Sequence, residues 1–183
     1  MTDKINNAIG NQLKLARTKK AWSLDTASRH TGVSKAMLGQ IERGESSPTV
    51  AKLWKVANGF QLPLSYFLGI IGKSDLKQGL LKTEKGIAIS TLFPFDEVTK
   101  IEVFSLTLSP LHQQMSPPHN TGVIEHILVI EGDMEYFLDN KWHAIQKGDT
   151  VRFCANVAHG YRNLTDKPAT FHNIIAYSDE LKT

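Results

Sequence analysis

The sequence predicts a chain of two unlike parts, a five-helix domain followed by an all-β domain built as a double-sheet barrel of the jelly-roll kind. Three observations carry this. From Ile5 to Leu68 apolar residues recur at helical spacing, with capping and turn residues between the runs. From Ile87 onward the texture changes to short runs rich in Val, Ile, Phe and Tyr, parted by Gly, Pro, Asn or Asp. Charge divides at nearly the same place: residues 1–72 hold ten Lys/Arg against four Asp/Glu, and residues 73–183 hold eleven against fourteen. A basic small part joined to a mildly acidic larger one is the footprint of a protein whose first part meets nucleic acid.

The length of 183 residues fits one large domain or two small ones, and 41% hydrophobic content is ample for burying a core. No apolar run approaches the roughly 20 residues of a membrane helix, and "MTDKINNAIG" has no signal-peptide core, so no membrane partner is expected. The lone Cys154 excludes an intrachain disulfide and fits a reducing compartment, the cytoplasm by default.

Within the first part, Ile5, Ile9, Leu13 and Ala16 form one apolar helical stripe. Ser23 is placed to cap a helix running to His30, and Gly32 supplies the turn after it. Ser34 caps a third helix, "SKAMLGQIERG", closing at Gly44. Pro48 suits the first position of a fourth, whose inner face is Leu53, Val56 and Ala57, and Pro63 begins a fifth through Leu68. Helices two and three, joined by "TGV", make a helix-turn-helix in which small Ser28 and Gly39 suit closely crossing helices. With Leu38 and Ile41 inward, Lys35, Ala36, Gln40 and Arg43 face out, a set suited to the major groove. Gln40 can pair with adenine, Arg43 or Lys35 with guanine or phosphate. Ser46, Ser47 and Thr49, beside the next helix start, suit a flanking phosphate.

"WSLDTASRHTGVSKAMLGQIERGESSPTVAKLWKVA" resembles the lambda-repressor-like (XRE-type) helix-turn-helix, with "GVS", "IERG" and "SPT" as its hallmarks. The resemblance implies a DNA-binding domain over 1–70 in which the Ser34–Arg43 helix reads bases. Arg17, Ser23, Ser34, Ala36 and Met37 join the candidates already named for the DNA face. Where the family often has a glutamine just inside the second helix, this chain has Leu24, which makes Ser23 the better candidate there for a backbone contact.

Residues 71–86 read as a connector with one helical turn around Leu76–Leu81. Eight strands are expected after it: "IAISTLF", "TKIEVFSLTL", "VIEHILVI", "MEYFL", "WHAI", "TVRFC", "HGYRN" and "FHNIIAY". Strand "VIEHILVI" is apolar on both faces, so its outer face is expected to be covered by another subunit or by the helical part. In a strand His126 points away from Glu125, while His172 could face either way.

"HNTGVIEHILVIEG" and "GDTVRFCANVAHGYRN" resemble the two cupin motifs, with the Glu125-x6-Gly132 and His159-x3-Asn163 spacings intact. The resemblance implies a barrel over 87–183 with a pocket between its sheets, and His119, Glu125 and His159 as ligands of a divalent metal, Zn²⁺ or Fe²⁺. Thr121 stands where a second histidine of the motif belongs. The three remaining residues either hold an ion or contact an organic ligand directly; Thr121, Arg152, Tyr161, Arg162 and His172 are the candidates for the rest of the pocket.

The order of domains resembles one-component transcriptional regulators. It implies a homodimer that reads a near-palindromic operator and responds to a small molecule. "VSKAMLGQIER", "SSPTVA", "LWK", "GVIEH" and "VRF" resemble regulators of sulfur utilisation in enteric bacteria, which implies a sulfur-containing amino acid as effector. The alternative is a metal-dependent cupin enzyme, a thiol dioxygenase or isomerase, with an appended DNA-binding domain.

Overall fold

The computed structural model describes residues 2–68, 81–83 and 86–178, and the chain divides into two compact units, Met1–Gly79 and Leu80–Lys182. The first holds five helices: α1 (Thr2–Lys19), α2 (Leu24–Thr31), α3 (Lys35–Glu42), α4 (Val50–Phe60) and α5 (Leu64–Leu68). Their ends follow from local chemistry. Ser23 and Ser34 accept the amides of Thr26 and Met37 as N-caps, and Gly32 closes α2 in the left-handed conformation at φ 65°. The fourth helix begins later than expected. Thr49, not Pro48, is its boundary, because the Thr49 hydroxyl accepts the Lys52 amide and leaves Pro48 buried just before the cap.

The closest helix approaches occur at glycines other than Gly39. A β-carbon on Gly10 would sit 2.3 Å from the Ile41 carbonyl oxygen, and one on Gly59 would sit 2.6 Å from Thr31 Cα. These two positions therefore set the α1–α3 and α2–α4 crossings, whereas at Gly39 the same atom would meet only the flexible Arg43 guanidinium at 3.2 Å and Leu24 at 3.8 Å.

The second unit is a barrel of two antiparallel sheets. Its strands are β1 (Leu81–Thr83), β2 (Ile87–Asp96), β3 (Ile101–Leu108), β4 (Gln113–Ser116) and β5 (Ile124–Glu131), then β6 (Asp133–Leu138), β7 (Lys141–Gln146), β8 (Thr150–Cys154), β9 (His159–Arg162) and β10 (Ala169–Ala176). Six of them form one sheet in the order β1-β2-β3-β10-β5-β8, and four the other in the order β4-β9-β6-β7. Of these, β1 and β4 were not expected. The first is three residues long and lies inside the expected connector; the second, "QQMS", has no β-branched or aromatic residue to announce it. The helical turn expected around Leu76–Leu81 otherwise lies outside the described residues.

Strict alternation positions the interior. On β5, Glu125, Ile127 and Val129 are buried while Ile124, His126 and Leu128 are half-buried on the other face. On β10, Phe171, Asn173 and Ile175 are buried, and the register sets Ile175 opposite Glu125 and Asn173 opposite Ile127. Polar groups thus project inward from an otherwise apolar wall, which is costly unless they meet one another.

Candidate functional site

In the helical unit, α3 buries Leu38, Gly39 and Ile41 and exposes Lys35, Ala36, Gln40 and Arg43, with Met37 half-buried between the two faces. The polar face thus coincides with the expected one. Ser34 and Thr49 serve as caps, Ser47 is exposed, and the half-buried Ser46 hydroxyl donates to the Met37 sulfur at 3.7 Å. Exposed Ser23 caps α2 beside this surface. Two of its cations already have anionic neighbours. Lys35 Nζ lies 2.8 Å from Asp25 Oδ2, and Arg43 pairs with Glu45 at 2.7 Å. These exposed pairs are screened by water and exchange readily for phosphate or base.

Arg17 corrects the expectation. Instead of joining the exposed face, its guanidinium ties α1 to α3 through both Glu42 oxygens, at 2.6 and 2.9 Å, and donates to the Trp22 carbonyl at 2.9 Å. A bidentate, largely buried pair of this kind is an internal brace.

In the barrel, His119, Glu125 and His159 converge. All three are buried, and a ligand atom from each lies within 4.8 Å of the others. Glu125 Oε1 lies 2.8 Å from His119 Nε2 and 3.4 Å from His159 Nε2. Glu125 Oε2 accepts from the Tyr161 hydroxyl and, at 3.0 Å, from Asn173 Nδ2. The cluster draws on both sheets, because β5 and β10 belong to one and β9 to the other. Its loop member, His119, is held by its own amide, which donates to the Ala155 carbonyl at 2.8 Å.

Electrostatics follow from this geometry. Burial alone would raise the Glu125 pKa, but the hydrogen bonds from His119 and His159 outweigh it and hold the carboxyl well below its usual range. Burial lowers His159 in turn, and the hydrogen bond and charge of Glu125 more than reverse it, leaving the imidazole above its ordinary value. Burial, then the Glu125 charge, push the Tyr161 phenol well above its ordinary value. The Val157 carbonyl lies 2.9 Å from His159 Nδ1 and can only accept, so Nδ1 carries a proton and Nε2 is the nitrogen turned to the cluster.

That donor set fits a divalent ion. Two imidazole nitrogens and one carboxylate oxygen, buried together with a backbone carbonyl fixing one tautomer, are the ligands that Zn²⁺ or Fe²⁺ take with positions left open.

The other expected pocket residues divide. Tyr161 belongs to the cluster. Thr121 does not line it, since it lies exposed in a turn before β5, upstream of the strand's alternation. Arg152 is exposed on β8 opposite His126, because the neighbouring Phe153 is the residue that faces Glu125. Arg162 leaves the interior to Tyr161, pairing with Glu135 and lying 4.2 Å over the Trp142 ring. His172 is half-buried, opposite Leu128 and Ser105 on the face away from Phe171 and Asn173. His126 faces outward as expected, with Nδ1 3.4 Å from the Ile174 carbonyl. Asn173 was not anticipated. Its signal was present, a lone amide on the inward parity of "FHNIIAY", but only the pairing of β10 with β5 identifies that parity.

Residues 13–67 match the helix-turn-helix family and residues 107–175 the cupin domain family. The chain is 41% identical over 169 residues to the HTH-type transcriptional regulator SutR of Escherichia coli K12, covering 92% of this chain and 94% of that protein. It resembles the crystal structure of an HTH_3 family transcriptional regulator from Vibrio cholerae with a TM-score of 0.89 and 45% identity, over 97% of this chain and 99% of the other. The cupin domain of an XRE family transcriptional regulator from Enterobacter cloacae matches 51% of this chain and 99% of its own length, at 38% identity and a TM-score of 0.51. No described helix is long and apolar enough to cross a membrane.

Proposed function

The chain belongs to the helix-turn-helix transcriptional regulators that carry a cupin domain, and from that premise we propose that α3 reads an operator while the barrel senses a small molecule. Relatives sharing both domains are named as transcriptional regulators, which sets the chain among regulators and not among enzymes. The observation that carries the DNA reading is the division of α3, whose Leu38 and Ile41 are buried while Lys35, Gln40 and Arg43 stand exposed. Gln40 offers adenine a bidentate pair, Arg43 and Lys35 reach guanine or phosphate, and the caps around Thr49 meet the flanking backbone.

The sensing reading rests on the buried cluster of the barrel. His119, Glu125 and His159 would hold a divalent ion, which supplies a fixed positive charge able to take an effector's anionic group. The residues themselves orient the site: the Val157 carbonyl turns His159 Nε2 inward, and the surrounding apolar strands exclude water. The sequence resemblance to regulators of sulfur utilisation supports a sulfur-containing amino acid as the effector. The half-buried outer face of β5, with Ile124 and Leu128, supports pairing with a second copy, and a dimer would set two α3 helices on a near-palindromic site in the cytoplasm.

The test begins with operator selection from a random duplex library by the full-length protein. Gln40→Ala is expected to weaken binding to the selected operator by about 1–3 kcal/mol and to relax base preference at one position per half-site. Unchanged binding by that variant would mean that α3 is not the reading helix. Thermal melting against the proteinogenic amino acids then tests the effector. A stabilisation of about 2.7 kcal/mol at 100 times the dissociation constant is expected for a sulfur amino acid, and none for the others.

A further inference from the structure

We propose that Tyr161 and Asn173 are positioning residues that hold Glu125 as a one-oxygen ligand of the barrel's ion site. The inference rests on the reading that His119, Glu125 and His159 hold a divalent ion. Its observation is the division of labour between the two carboxylate oxygens. Oε1 lies against His119 and His159, while Oε2 accepts from the Tyr161 hydroxyl and from Asn173 Nδ2.

The two donors come from opposite sides. Asn173 lies on β10 diagonally across from Glu125 within one sheet, and Tyr161 lies on β9 of the facing sheet. Each is only 3% exposed, so neither competes with water for its bond. A carboxylate held at one oxygen from two directions cannot rotate about its terminal bond without losing both contacts. Oε1 is thereby presented to the two imidazoles in a single orientation.

The arrangement carries a cost that plain core packing would not incur. Turning Nδ2 toward the carboxylate leaves Asn173 Oδ1 buried without a hydrogen-bond partner among the described residues. A leucine would fill the same volume with no unsatisfied atom. Asn173 is therefore accounted for by what its amide does to Glu125. With Oε2 engaged, the protein offers three donors, and the remaining coordination positions stay open for water or effector. Freed from the clamp, the carboxylate could turn both oxygens toward the histidines and change the donor number.

Full-length protein stripped of metal is titrated with Zn²⁺ against a chelating dye and separately with Co²⁺, whose visible absorption is more intense in four-coordinate than in five-coordinate sites. Tyr161→Phe and Asn173→Leu are compared with Leu106→Ala, a buried apolar change on β3, opposite Phe171, that removes no hydrogen bond to the carboxylate. The expected result is Zn²⁺ affinity about 10- to 100-fold lower in both clamp variants, with a weaker Co²⁺ band. Leu106→Ala should lower the melting temperature and leave both ion readouts unchanged. Clamp variants that match the wild type in affinity and spectrum overturn the proposal, and so does an equal loss in Leu106→Ala. Wild-type protein that takes up neither ion overturns the ion-site reading and the clamp together, an outcome distinct from uptake that the clamp variants do not alter.

Discussion

His159 places Nδ1 on the Val157 carbonyl at 2.9 Å and Nε2 at 3.4 Å from the Glu125 carboxylate, so the titrations of the two side chains are linked. This gives the cluster a definite pH response. The His159 pKa is raised by Glu125 against the opposing effect of burial, so its contribution is complete below its unfolded value of about 6.5 and is lost as pH rises through the folded value. The Glu125 pKa is depressed, so its contribution is complete above about 4.3 and is lost as pH falls through the folded value. Both are complete together between about pH 4.3 and 6.5, and the metal-stripped protein should melt highest in that window. Divalent ions compete with the proton on Nε2, so ion affinity should instead weaken as pH falls below the raised His159 value. Melting curves with and without chelator across this range check both signs; a stripped protein most stable above pH 8 would contradict the ion pair. Which side chains enter the cluster was only partly legible. His119, Glu125 and His159 were picked out by the resemblance to the cupin motifs, but Thr121 was misplaced because it sits in a turn where alternation has not begun. Arg152 was misplaced because the parity of β8 is set by its pairing with β5.

At the level of elements, the helical unit depends on how closely its helices approach. Gly59→Ala would force a β-carbon to within 2.6 Å of the Thr31 backbone, and Gly10→Ala to within 2.3 Å of the Ile41 carbonyl. Each should cost about 1–3 kcal/mol in denaturant unfolding through overpacking. Gly39→Ala meets no backbone within 4 Å outside its own helix and replaces a poor helix former, so it should be neutral or stabilising by up to about 1 kcal/mol. Equal losses at the three positions would contradict these crossings. The sequence pointed to Gly39 because it lies on the expected α2–α3 contact, yet the tight crossings are α1–α3 and α2–α4. Small residues announce that a close approach occurs somewhere; the partner they approach is a tertiary fact. Helix caps are the opposite case. Ser23, Ser34 and Gly32 were readable because a cap is a bond within four residues of chain.

For the whole molecule, the sensing reading commits the two units to a thermodynamic relation. If an effector bound in the barrel changes operator affinity tenfold, operator duplex must change effector affinity by the same factor and in the same direction. Calorimetric titration of the effector with and without saturating operator measures this, and unequal factors would show that the two ligands bind in separate populations. The partition of charge, basic in residues 1–72 and acidic beyond, leads to a second expectation at this scale: operator affinity should fall steeply with salt, while effector affinity responds far less.

The sequence alone determined the two-part architecture, the caps of α2 and α3 and the exposed face of α3, because each depends on periodicity or on bonds between near neighbours, while the three residues that converge in the barrel were legible through their resemblance to the cupin motifs. Tertiary structure alone decided that Arg17 braces Glu42, that Tyr161 and Asn173 share one oxygen of Glu125, and that Arg152, Arg162 and His172 lie on faces turned away from it. The physical reason is the same throughout. A strand's alternation sorts residues into two faces, but only pairing with distant strands says which face is the interior and which side chains meet across it.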